Sequence, residues 1–427
     1  MLKFRWETEF KKTEIGEIPK DWEVRKVKEF YDLKYGITVS SSDYGNCRLL
    51  RQTDLKEGFI DISSIPYAFC EIDKISKYLL MEDDLVISRI ANVGSVGYVD
   101  ATILNAMDKP LVFGSYLLKF EKKREINNKF TFYFLSSSQL QDYIRTIAEG
   151  STRQNTNAKV VGEFPLFIPP LPEQALIATV LSWFDDLIEV KKKQNEILEK
   201  TAMAIFKSWF IDFEPFKDEE FVYNEELGRE IPKGWEVDKT TRLIEYNPSI
   251  TMKKGEIYPF IEMKDVKTNS LLCEPNFKQF SGSGVRYYGG DTLMARITPS
   301  LEHGKTAFIW FISEKEKGFG STEFFVLHPK ESYLKEFVYL LAKNDDFREI
   351  AINSMSGTSG RQRADINALK NYNIPIPPPH ILQSFHSLVE PLFQKIILNQ
   401  KQIMTLRKIK DTLLPLLVFG KLRVEEI

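Results

Sequence analysis

The chain has 427 residues, too long for one ordinary domain, so about two to four folded units are expected. A hydrophobic content of 43% with 13% aromatics supplies real cores and excludes a disordered chain. The formal net charge of −2 excludes a general polyanion binder, but not a specific DNA reader whose cations gather on one face.

Cys47, Cys70 and Cys273 are far apart and form no C-x-x-C, so neither a disulfide framework nor a zinc site is signalled. No apolar run approaches ~18 residues and the first residues carry no signal pattern, so the expectation is a soluble, cytoplasmic protein.

In chain order, the first feature is Ile18-Pro19-Lys20-Asp21-Trp22-Glu23-Val24. Short β-type runs follow between Gly, Asn and Asp turns, Asp84–Ile90 among them. A helical pattern occupies 128–149, and a proline tract at 164–174 forbids helix until it ends. From Pro172 to Phe210 the positions Ile177, Val180/Leu181, Phe184, Leu187/Ile188, Leu198, Thr201/Ala202, Ile205 and Trp209 alternate threes and fours. That spacing predicts one long helix with a single stripe, which needs a partner rod. An acidic stretch, Asp212 to Glu230, is expected to loop over the surface.

The pattern then repeats. Ile231-Pro232-Lys233-Gly234-Trp235-Glu236-Val237 answers the first lead-in, and Asp291–Ile297 answers Asp84–Ile90. Arg361-Gln362 answers Arg153-Gln154, and Ile376-Pro377-Pro378 answers Ile168-Pro169-Pro170. A period of about 210 residues is domain duplication, since solenoid repeats run ~20–50. The second rod runs from about Ile381 to Leu414, with Phe385, Leu388/Val389, Leu392, Ile396, Asn399, Ile403, Leu406, Ile409 and Leu413 on its stripe. Lys191, Gln194, Asn195 and Asn399 place polar groups near mid-seam, either fixing register or forming a solvated waist. Pro391 predicts a kink or break near Ser387–Pro391. The fold class expected is mixed α/β (α+β), duplicated, with two globular units held apart by two paired long helices.

Catalytic motifs are missing. No G-x-x-x-x-G-K-[ST] occurs, and Gly282-Ser283-Gly284 and Gly289-Gly290 are isolated turns. Asn247-Pro248-Ser249 lacks the second proline and the aromatic of an amino-methyltransferase motif. His303, His328, His380 and His386 have no metal spacing, and surface or capping roles are expected for the last two. Glu189-Val190-Lys191 has no acidic partner motif before it and reads as a solvated helix face. The pattern points to a binding protein. Two alternatives remain at this level: a DNA-recognition protein with its own degenerate nuclease or methyltransferase activity, and a coiled-coil adaptor with no DNA role.

The ordered, duplicated set of I-P-x-x-W lead-in, Gly-Ser/Thr turn with Gln, proline tract and long helix resembles the specificity subunits of type I restriction-modification systems. Pro172-Glu173-Gln174 belongs to that set; the second copy departs from it with His380-Ile381-Leu382. The resemblance implies target-recognition domains at 1–164 and 216–370. Proline entries with long helices follow each, at 165–215 and 371–427. It also implies an antiparallel coiled coil that sets the gap between two parts of an asymmetric DNA site. The chain would be non-catalytic and hold no cofactor. Two modification (methyltransferase) subunits would dock on it, and ATP-dependent restriction subunits would join them. S-adenosylmethionine, ATP and Mg would sit on those partners.

DNA contacts need cations and hydroxyls for phosphate, and Arg, Asn or Gln for base edges. The candidates in the first module are Arg51, Gln52, Arg89, Asn92, Ser151, Thr152, Arg153 and Gln154. In the second they are Lys264, Arg286, Tyr287, Arg296, Thr358, Arg361, Gln362 and Arg363. The Gly-Ser/Thr-Arg-Gln turns either touch DNA or merely reverse the chain; Arg89 and Arg296 either touch DNA or form structural ion pairs. Trp183, Trp209 and Phe210 either receive a partner subunit or pack within the chain.

Overall fold

The computed structural model describes residues 2–56, 59–90, 92–149, 156–268, 270–358 and 360–426. The chain forms two compact units, Met1–Leu187 with Thr405–Ile427, and Ile188–Met404.

In the first unit the apolar run Leu85-Val86-Ile87 is fully buried, as suits a central strand. Its strand, Asp84–Ser88, lies between Val96–Val99 and Leu117–Lys122, and Tyr31–Tyr35 completes an antiparallel sheet. A second sheet is ordered Leu111–Phe113, Cys47–Leu50, Tyr67–Ala68, Ser41–Ser42, its first pair parallel. The helical pattern at 128–149 is split into Asn128–Leu135 and Ser138–Glu149. Asn127 caps the first by accepting the Phe130 N–H, and the serines 136–138 interrupt the apolar spacing. The lead-in and the proline tract lie side by side, Glu23–Lys26 antiparallel to Pro165–Ile168. Leu2–Trp6 pairs antiparallel with Leu422–Glu426.

The second unit repeats this skeleton. Thr292–Ala295 lies between Thr306–Phe308 and Phe324–Pro329, with Ile244–Tyr246 outermost. Ile257–Ile261 runs parallel to Lys317–Gly320, as Cys47–Leu50 does to Leu111–Phe113. Glu236–Lys239 pairs with Asn373–Ile376, the counterpart of the first lead-in pairing. The copies differ in the sheet that contains the parallel pair. The first adds Ser41–Ser42 beside Tyr67–Ala68, whereas the second adds Val285–Tyr288 on the opposite side, beside Lys317–Gly320.

The long helices are Leu171–Phe210 and Pro379–Val418, each of 40 residues and so about 60 Å long. Within the first unit Ile177, Ala178, Val180 and Leu181 share a core with Leu414, Leu417 and Val418. Asp185 there pairs with Lys410. Within the second unit Lys191 donates to Gln402 at 2.6 Å and Asn399 to Asn195 at 2.9 Å. Partner numbers fall as positions rise, so the helices run antiparallel.

Several sequence expectations are corrected. The second long helix is continuous through Pro391 and Pro415, so of the kink or break expected near Ser387–Pro391 the break does not occur. Of the paired stripe positions Ile188 and Val389 are buried and Leu187 and Leu388 exposed; Ile409 is exposed, while Phe206 and Phe393, absent from the expected stripe, fill the core. Asn399 is fully buried, which makes it a seam residue and not part of a solvated waist. The acidic stretch does not simply loop over the surface: Phe213 and Phe216 stack edge-on against Trp235 at 5.2 and 5.3 Å.

Candidate nucleic-acid interface

In the second unit the strand Thr292–Ala295 ends at Arg296, and the backbone is then caught from two sides. Ala364 donates its N–H to the Arg296 carbonyl at 2.8 Å, and Thr298 exchanges backbone and hydroxyl hydrogen bonds with Gln362. Ile297 and Ser356 each bridge to Arg363. These bonds hold the glycine-bearing turn, described at residues 357, 358 and 360–363, against the strand end. Gly357 and Gly360 both have positive φ, which glycine tolerates best. Thr358 and Arg361 are exposed on this turn. The loop from Thr298 to Lys305 lies between it and the Met263–Asp265 turn, because Lys305 donates to the Met263 carbonyl at 2.8 Å. Sequence reasoning missed this loop; Thr298-Pro299-Ser300 and Gly304 are the turn signals that could have marked it.

The cations differ in how far they are committed. Arg363 forks onto Glu323, with Nη2 at 2.6 Å, and holds that carboxyl below its ordinary range. Lys264 pairs with Glu262 at 2.8 Å. Arg286 donates to the Ile250 carbonyl and lies over Phe280. Arg296 is different: its Nε is buried without an acceptor, and its guanidinium lies over the Phe325 ring at 5.0 Å. Tyr287 is fully buried and bonds Pro259, so it has no surface to offer DNA.

The first unit builds the equivalent place with other commitments. Arg89 ends its strand as Arg296 does, and the Thr156 N–H reaches the Arg89 carbonyl at 2.9 Å. Here Nε is satisfied, donating to the Ser115 carbonyl at 2.9 Å, and the guanidinium lies 5.3 Å from the Tyr35 ring. Arg51 is spent on buried Asp54, with Nη2 at 2.8 Å, so it locks the Gln52–Asp54 turn. Gln52 is half-buried and Asn92 exposed. Ser151, Thr152, Arg153 and Gln154 lie outside the described residues.

Among the candidate partner contacts, Trp183 is half exposed. Phe210 is buried, 4.9 Å from Phe337 and 4.8 Å from Phe385, and Trp209 packs on Phe216 and Phe385. Phe210 therefore has no surface to offer a partner, while Trp209 is half-buried against its own unit. His386 is no simple cap, since it bonds buried Glu336 at 2.7 Å. Among the described residues no group of His, Cys, Asp and Glu could hold a metal ion, and no helix is long and apolar enough to cross a membrane.

The model of the type I restriction modification DNA specificity domain matches this chain twice, over residues 19–200 and 232–408. The chain is 36% identical over 447 aligned positions to the type I restriction enzyme MjaIX specificity subunit of Methanocaldococcus jannaschii, covering 100% of this chain and 99% of that one. The putative MjaX specificity subunit of the same organism is 28% identical, again over 100% and 99%. The S subunit of a type I restriction-modification system from M. genitalium shares the fold. It has a TM-score of 0.52 and 16% identity over 93% of this chain and 96% of that one. With two matching domains on one duplicated skeleton, the chain belongs to the family of type I restriction-modification specificity subunits.

Proposed function

We propose that each α/β module reads one half of a bipartite, asymmetric DNA site, and that the paired helices set the gap between the halves. Modification subunits carrying S-adenosylmethionine dock on this scaffold and methylate the site. Restriction subunits that use ATP and Mg join the assembly, and this chain itself catalyses neither methylation nor cleavage. The observation that carries the reading is the pairing of one skeleton with two unlike surfaces. Both units present an arginine at the end of the equivalent strand, yet the Arg89 Nε is satisfied internally and the Arg296 Nε is not. Two readers built alike but armed differently suit two different half-sites. In the second module Arg296, Thr358, Arg361 and Gln362 would face DNA, with arginine reading guanine or phosphate.

The test is co-expression with a modification subunit, followed by mapping of methylated bases. A split motif is expected, with one half altered by changes at Arg296 or Arg361 and the other half unaffected. Shortening both long helices by one turn, ~5.4 Å, should shorten the preferred gap by one or two base pairs. Half-sites that change while the gap stays fixed would overturn the spacer role. Methylation or cleavage by the isolated chain would overturn the non-catalytic one.

A further inference from the structure

Cys47 and Cys70 are distant in sequence, but the first module's smaller sheet brings them together. Ala68 stands opposite Cys47 in the antiparallel pairing of Tyr67–Ala68 with Cys47–Leu50. Asn46 then fixes the backbone of Cys70, its amide donating to the Cys70 carbonyl at 2.8 Å and accepting the Cys70 N–H at 2.9 Å. The two Sγ atoms are 3.0 Å apart, about 1 Å more than an S–S bond. Both side chains are buried, and their sulfurs touch nothing catalytic.

We propose that Cys47 and Cys70 are a latent disulfide site that staples this sheet when the chain meets a disulfide oxidant. The step is thiol–disulfide exchange. A thiolate of one cysteine attacks an external disulfide and releases one external thiol; the second cysteine then displaces the other. One S–S bond forms and one breaks, and the two protons and two electrons leave on the two released thiols. The strands around Cys70 are short, Tyr67–Ala68 and Ser41–Ser42, and neighbouring Phe69 is 58% exposed. Local opening of this edge therefore exposes the pair without unfolding the larger sheet. Burial pushes the Cys47 thiol up to about 12, so the closed form reacts slowly and opening sets the rate. Cys273 of the second module is buried alone, which confines the response to the first reader.

The experiment incubates the full chain with oxidised glutathione, then denatures, alkylates and counts thiols. Alkylatable thiols should fall from three to one, with a peptide cross-link joining Cys47 to Cys70 that dithiothreitol reverses. The unfolding midpoint of the first module should rise by several degrees on oxidation, because the bond closes a loop between residues 23 apart. Cys273→Ser should show the same oxidant-dependent midpoint shift, with its alkylatable thiols falling from two to none, and Cys70→Ser should show no shift. Three alkylatable thiols after oxidation, glutathione adducts alone, or a bond involving Cys273 would each sink the proposal. These readouts do not depend on DNA recognition.

Discussion

Trp22 donates its indole N–H to Glu173 at 3.2 Å, whereas Trp235, its counterpart in the second copy, has a buried Nε1 with no acceptor. The cause is the local departure between the repeats, since Ile381 stands where Glu173 stands. Glu173 also accepts two bonds from Arg423, at 2.6 and 2.8 Å, and Asp21 and Glu7 complete that cation's shell. The Trp-to-Glu contact is therefore part of a buried ionic knot in one unit and is replaced by apolar packing in the other. Trp22→Phe should destabilise its unit by about 1–2 kcal/mol more than Trp235→Phe destabilises the second. Both changes leave a similar void, but only the first breaks a bond. Urea unfolding with a probe in each unit measures the difference, and equal losses would contradict it.

The same knot predicts an acid response. Glu7 accepts the backbone N–H groups of Glu9 and Thr8 and a bond from Arg423, which together hold its pKa down to about 2. A depressed carboxylate pKa stabilises the fold above its unfolded value and loses that effect as pH falls toward the folded one. The first unit should weaken between about pH 4.5 and 2. Glu7→Gln should lower stability at pH 7 and flatten the dependence in that window. A Glu7→Gln profile parallel to the parent's would refute the assignment.

The second unit should respond near neutrality. His328 bonds buried Asp291 at 2.6 Å, and that bond raises the imidazole pKa above its ordinary value. A raised histidine pKa stabilises the fold below the unfolded value, about 6.5, and the effect fades as pH rises through the folded one. Burial raises the Asp291 carboxyl as well, so both groups favour bound protons in the folded state. Thermal midpoints from pH 6 to 8 should fall for the parent and fall less for His328→Gln.

Asn399 is buried in the seam of the second unit, donates to Asn195 and Gln194, and leaves its Oδ1 without a partner. Asn399→Leu should raise stability by about 1 kcal/mol, because an unpaired buried acceptor is removed. It should also loosen register, the usual consequence of losing a buried polar seam residue. A mixture of gap lengths in the methylated sites of Asn399→Leu would report that loosening. A midpoint below the parent's would count against this account.

On the second module's surface, Arg361 is exposed on its turn whereas Arg363 is tied to Glu323. Arg361→Ala should weaken DNA binding of the assembled complex about tenfold, roughly 1.4 kcal/mol, without moving the unfolding midpoint. Arg363→Ala should lower the midpoint slightly, because the pair it breaks is partly exposed. Binding isotherms and melting curves on the same two variants separate the roles.

The duplication and both long helices were legible because Trp22/Trp235, the two proline tracts and the three-four spacing are local signals. What failed has tertiary causes. Pro391 reads as a helix breaker, yet the flanking Val389 and Phe393 are buried in the core, and that packing outweighs one lost hydrogen bond. Tyr287 looks like a polar surface aromatic, yet it is the one fully buried residue of its strand. Arg51 and Arg363 are indistinguishable from free cations in sequence, because their carboxylate partners are revealed only by the fold. The closeness of Cys47 to Cys70 was hidden by a spacing that means nothing until the sheet forms.

The core of the first unit contains Leu414, Leu417, Val418, Phe419 and Val424, whereas the second unit is one continuous segment. During synthesis the ribosome delivers residues 188–404 as a complete set, free to condense as they emerge. Residues 1–187 are made earlier but must wait, with part of their apolar interior uncovered, until residues 405–427 have been translated. The half that is born first is thus the half that closes last, and in the interval it is the half exposed to aggregation and to proteases.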